Sequence, residues 1–222
     1  MDPSPGIIAE RSGDSETPGR RRPRPRIESL GDLIFGLSLA IDSIALVPIG
    51  ATTIEQMNQR ILIFAFAFLF LITAWLLYTT YMSVLPVEAA GVTLINVALL
   101  LLVALIPYLL NNVVIGDEGI REYSSGLFTL DLAGILVILA AFAHVISLEE
   151  KRLVAPELAR LFRNGRNRMA VLAVLMAVSI APPFWTVTIL GSPARIYMWT
   201  VPLISYWVGR AIRPQSRTYK LS

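Results

Sequence analysis

Acidic side chains set inside apolar sequence are the residues of this chain best placed to do chemistry. Asp32 ends the stretch Arg26-Ile27-Glu28-Ser29-Leu30-Gly31-Asp32, which runs straight into an apolar helix, and Asp42 follows with Ser43 along the same helix. An unpaired carboxylate at mid-membrane costs about 2.5–3.5 kcal/mol on insertion scales, so it faces a polar partner, reaches water or takes up a proton. Protonation would make Asp42 part of a proton relay with Asp131 and His144. Pairing would instead make it a strut, bonded to Ser, Thr or Asn groups of neighbouring helices. His144, near the inner end of an apolar span, suits a satisfied interfacial imidazole better than a proton shuttle. Asp131 sits near an outer end and is expected to reach the headgroups, with Trp185, Tyr197 and Trp199 as interface anchors.

Other chemistry finds no footing. The sequence has no cysteine and a single histidine, which excludes disulfides, thiolate metal sites and a His-cluster zinc site. It carries no HExxH, GxSxG, phosphate-loop or CxxC motif. The expectation is a protein that is not an enzyme and needs neither a metal nor a cofactor.

The elements that must hold these acids are membrane helices. Hydrophobic residues make up 55% of the 222 and charged ones 16%, with a mean hydropathy of +0.64. A soluble domain of this size does not need so much apolar surface. Much of it falls in runs near 20 residues, and a helix of about 20 residues rises ~30 Å, the thickness of a hydrocarbon core. Six spans fit, over residues 31–47, 61–84, 87–110, 127–146, 169–184 and 190–208. The fifth is short and stops at Pro182-Pro183. Long polar breaks remain at the N-terminal tail, at 116–123 and at 149–168, where 156–162 suits a short amphipathic helix on the inner surface. The domains are therefore a basic tail over 1–24, a six-helix transmembrane region over 25–212, and a short basic C-terminus over 213–222. The tail, rich in Pro, Gly, Ser and Arg, is expected to be disordered, and its order of segments does not suit a signal peptide.

Orientation follows from the cations. All but Arg60, Arg121 and Arg195 of the 19 Lys and Arg residues fall in the tail, in the 149–168 segment or near the C-terminus. The positive-inside rule then puts both termini in the cytoplasm and asks for an even number of spans, which six supply. The same distribution explains the basic pI of about 9.4. Arg20-Arg21-Arg22 with Arg24 is open to reading as a nucleic-acid arm, but beside a membrane the simpler partner is anionic lipid.

Arg26, Ser29, then Leu30-Gly31-Asp32 and Phe35 resemble the Arg-x-x-x-Phe-Ser-Asp signature that opens the first helix of the transmembrane protein 175 family of potassium channels. The Arg-to-Asp spacing of the signature is kept, and Phe70 to Trp75 is similar to the family's aromatic run ending in tryptophan. Six helices, cytoplasmic termini and a Leu-rich third span ending near Pro107 agree with it. Leu30-Gly31 stands where the family has Phe-Ser, Tyr78-Thr79 where many relatives have two histidines, and Ala40 where a pore-facing threonine is usual. Asp42 and Ser43 replace aliphatic residues. The resemblance implies a passive, potassium-preferring cation (K+) channel in the cell membrane. It also implies a homotetramer, because relatives with one copy of the motif assemble as four around a central pore. Arg26, Asp32 and Trp75 would then form the network that fixes the first helix.

On the first helix, Leu33, Leu37, Ala40, Ile41 and Ile44 share one face, with Asp32, Asp42 and Ser43 roughly opposite. Periodicity alone sends the apolar face to lipid and the polar face into the bundle. The resemblance makes that apolar face the pore lining, with Leu37 as constriction and Ala40 and Ile44 one and two turns further out. Such a ring filters by the cost of dehydration. Potassium sheds its water more readily than sodium, and Ala40 in place of threonine widens the pore, so discrimination is expected to be weak. Two other classes stay open: a proton-coupled secondary transporter using Asp42 and His144, and a non-conducting membrane scaffold of the same fold. Against the transporter, the sequence shows neither an inverted repeat nor a pair of Gly/Pro-broken helices.

Overall fold

The computed structural model describes residues 26–44, 53–85, 90–148, 156–189 and 192–212. The tail over 1–24 and the C-terminus over 213–222 lie outside the described residues. Five long helices come first: α1 (Arg26–Ile44), α2 (Ile54–Met82), α3 (Ala90–Ile115), α4 (Glu118–Ser147) and α5 (Pro156–Val178). They are followed by α6 (Pro183–Thr186), strands β1 (Thr188–Ile189) and β2 (Ser192–Pro193), α7 (Ala194–Met198) and α8 (Thr200–Ile212). The two strands pair antiparallel, Thr188 opposite Pro193.

Among the described residues, three segments are long and apolar enough to cross a membrane: Arg60–Met82 in α2, Gly91–Ile115 in α3, and all of α4. Three such helices in one chain make a multi-pass protein embedded in the membrane. The remaining long helices carry more charge or are shorter. Arg26, Glu28, Asp32 and Asp42 fall in α1, the first half of α5 holds Glu157 and four arginines, and α8 has 13 residues.

α4 is the spine. It packs along both α3 and α5 and also meets α2, whereas α1 lies against α2 and α3 and α8 against α2. Its side chains are accordingly buried on several sides, with Phe128, Leu132, Ile135, Leu139, Phe142 and Ile146 all but sealed. Helix pairs α1–α2, α3–α4 and α4–α5, each consecutive in the chain, run antiparallel. The start of α1 meets the end of α2 through Phe35 and Tyr78, whose ring centroids are 5.6 Å apart. The start of α4 meets the end of α3, where Arg121 Nε donates to the Val113 carbonyl at 3.2 Å. The end of α4 meets the first half of α5 through His144 and Arg166. α8 returns beside α2, with Trp207 Nε1 donating to Thr73 Oγ1 at 3.2 Å and Gly209 against Arg168. The start of α1 and the end of α8 thus share one end of the bundle.

Pro107 sits inside α3 and has no N–H to give the carbonyl of Val103 four residues earlier. The Ser38 hydroxyl of α1 takes that acceptor at 3.1 Å. A helix can keep a proline at membrane depth when a neighbour satisfies the released carbonyl in this way.

Several boundaries depart from the sequence reading. The polar break at 116–123 shrinks to Gly116 and Asp117, because α4 begins at Glu118 and carries Arg121 and Tyr123 on its first turns. The separate amphipathic helix at 156–162 is the first part of α5, which ends at Val178 and not at 184. The segment 190–208 is no single helix: the chain turns at Ser179, and Pro183 and Pro193 precede short pieces before α8 starts at Thr200. The apolar runs at 61–84, 87–110 and 127–146 fall largely in α2, α3 and α4, whereas beyond Val178 Pro183 opens α6 and Pro193 precedes α7.

Candidate functional site on the first helix

α1 is asymmetric in what it touches. On one side Asp32 Oδ1 accepts the indole N–H of Trp75 at 2.9 Å, so these two residues meet across the α1–α2 seam. One residue earlier, Gly31 lies flat against the Tyr78 ring, which a Cβ at that position would overlap. Only glycine allows the helices to approach so closely here. Phe35 and Ser38 continue the buried side, the latter through its bond to Val103. Asp42 is buried at the far end of the same side, and its Oδ2 meets no hydrogen-bond partner among the described residues. A cleft of about 400 Å³ opens beside Asp32, walled by Trp75, Tyr78, Thr79 and Ser83.

The other side is aliphatic and bare. Leu33, Leu37 and Ile41 are 65%, 56% and 45% exposed, and Ala40 is exposed with them. Their spacing stacks them as one ridge along the helix. Ser43, grouped with the polar side from sequence, is exposed and folds its hydroxyl onto the Ala40 carbonyl of its own helix at 2.6 Å. The buried serine is Ser38 instead. The side chains of Arg26 and Ile44 lie outside the described residues, so the structure brings together two members of the expected network, Asp32 and Trp75, and four of the ridge, Leu33, Leu37, Ala40 and Ile41.

Asp131 does not reach a headgroup layer. It is 4% exposed within α4, and neither carboxylate oxygen has a partner among the described residues. The reason is helical spacing: Phe128, Asp131, Leu132 and Ile135 form one stripe, and that stripe faces the bundle. Asn96 of α3 is fully buried with both amide atoms likewise unmatched. Buried polar atoms of this kind are served by water or weaken the fold. His144 is exposed at the end of α4, and its Nδ1 lies 3.0 Å from Arg166 Nη1. Arginine has only hydrogens to offer, so Nδ1 is the acceptor in this contact. Asp42 and His144 occupy opposite ends of the bundle, each near the end of its own antiparallel helix.

Sequence reading missed the side chain with the most hydrogen bonds among the described residues. Arg195, counted as an outer-surface charge, is 3% exposed. Its Nε donates to the Ser179 carbonyl at 3.0 Å, Nη2 to Ile180 at 2.7 Å, and Nη1 to Ser125 Oγ at 2.8 Å, under a Trp185 ring 5.5 Å away. Trp199, expected as an interface anchor, is buried too and donates to Thr129 Oγ1 at 2.8 Å. The guanidinium gathers the carbonyls that α5 leaves open just past its end, where a cation is favoured. One signal was present: a lone arginine inside apolar, aromatic sequence is as unusual as Asp42. Comparison of the chain with family models, curated proteins and solved structures returns no match.

Proposed function

We propose that this protein is a passive cation channel of the cell membrane, preferring potassium, in which α1 from each of four identical subunits lines a central pore. The observation that carries the reading is the two-sided character of α1. Asp32 and Ser38 are turned into the subunit and bonded there and Asp42 is buried beside them, leaving the ridge of Leu33, Leu37, Ala40 and Ile41 free for a shared axis. A ring of Leu37 side chains would be the narrowest point and would act by stripping water from the ion. In this reading the chain crosses the membrane six times with both termini in the cytoplasm, which agrees with α1 beginning and α8 ending at the same end of the bundle. The basic tails then touch anionic lipid, and nucleic acid is not a partner.

The test is ion flux into proteoliposomes under a potassium gradient and then an equal sodium gradient. The expected result is flux that needs no proton gradient and is faster for potassium. Leu37→Ala should raise it and narrow the difference between the ions; lowering the barrier by about 1–2 kcal/mol corresponds to roughly a five- to thirtyfold increase. Equal flux for both ions would keep the pore and remove the preference, pointing at Ala40. No flux from folded tetramer would end the reading. The unpartnered Asp42 oxygen favours a second possibility, proton-coupled transport. Asp42→Asn decides that one: loss of pH-driven flux supports a transporter, and unchanged flux rejects it.

A further inference from the structure

Where the end of α2, the first half of α5 and the end of α8 meet, they enclose a pocket of about 270 Å³. Two guanidiniums line it, those of Arg168 on α5 and Arg210 on α8, and no acidic side chain does so among the described residues. Arg168 Nε is buried and meets no acceptor among the described residues, an unusual state for a group with five N–H bonds to place. Gly209 makes the room for it, since a Cβ at that position would come within 2.8 Å of Arg168 Nη1. The remaining wall is mainly apolar, with Thr80 and Tyr206 adding polar side chains. Leu158, Leu161 and Phe162 of α5 face Leu77 and Tyr81 of α2, with the Tyr81 and Phe162 rings 5.8 Å apart. The pocket therefore has a cationic end and a greasy side, at the end of the bundle where Arg160, Arg163 and Arg166 also gather on α5.

We propose that this pocket binds the phosphate of an anionic phospholipid from the adjoining leaflet, its acyl chain lying along the leucine wall. Planar guanidiniums bind phosphate oxygens in pairs, and a site built from two of them favours a headgroup whose phosphate charge is uncompensated over a zwitterion whose own cation competes for the phosphate. The inference rests on membrane embedding and not on conduction, so it is tested without measuring flux.

Full-length protein in detergent is titrated with dioleoylphosphatidylglycerol or dioleoylphosphatidylcholine, and bound lipid is counted by native mass spectrometry. The anionic lipid should be retained preferentially and should survive an excess of inorganic phosphate. Arg168→Gln and Arg210→Gln should each weaken it about fivefold, the worth of one cation at a membrane surface. Arg160→Gln, on the same helix but outside the pocket, should leave it unchanged. Gly209→Ala keeps both charges while displacing the Arg168 guanidinium, and should weaken binding in protein whose melting temperature is unaltered. Equal retention of the two lipids, or an equal loss with Arg160→Gln, would overturn the proposal. Displacement by inorganic phosphate alone would also overturn it, assigning the site to a soluble anion.

Discussion

A single hydroxyl bridges α1 and α3 at the proline in α3. Ser38 satisfies the Val103 carbonyl that Pro107 releases, so its value depends on a residue it does not itself bond. Ser38→Ala should cost about 1–3 kcal/mol, the penalty of leaving a buried acceptor unmade. In a Pro107→Ala background the backbone N–H returns to Val103, and the same substitution should be close to neutral. Denaturant or thermal unfolding of the four proteins closes the cycle, and an undiminished penalty in the second background would sink this account. The sequence displayed both residues but not their meeting, since a proline's released carbonyl has no marked partner in a linear chain. Asp32 and Trp75 were legible together only through a family resemblance. Asp131 was misplaced because α4 is apolar nearly all round, and periodicity in such a helix does not say which stripe faces lipid.

At the scale of elements, α2 to α4 were legible because long apolar runs have one stable form in a membrane, the helix. The stretch from Ser179 to Trp199 was not, because its apolar content matches that of the spans while its prolines, not its hydrophobicity, set the path. Arg195 holds this irregular piece in place by bonding the open end of α5 and the side of α4 at once. Arg195→Gln should destabilise the protein by at least about 1.5–3 kcal/mol, the range for hydrogen bonds to a charged group. Arg195→Lys should rescue little of that loss, because an ammonium is a point donor and does not fork to three separate acceptors. Melting temperatures in one detergent compare the three proteins directly. A lysine variant as stable as the parent would show that charge alone, without the planar fork, does the work.

For the whole molecule, the arrangement of α1 leads to a statement about mass. A central pore lined by Leu37 needs several copies, so native mass spectrometry of the purified protein should find a tetramer that persists on dilution. A stable monomer would return the ridge to lipid and leave no axis for ions to follow. The C-terminal segment has a different consequence, which concerns the order of events. Arg195 and Trp199 reach partners 70 residues back in the chain, and Trp207 reaches one 134 residues back. Contacts of such long sequence separation form late, after the loops they close have been shortened by intervening structure. The Ser125 and Thr129 hydroxyls must therefore wait, set on an α4 already packed, until residues 192–212 leave the ribosome. A chain interrupted before that point would hold its longest helices and still lack the bonds by which Arg195 and Trp199 grip α4 and Trp207 grips α2.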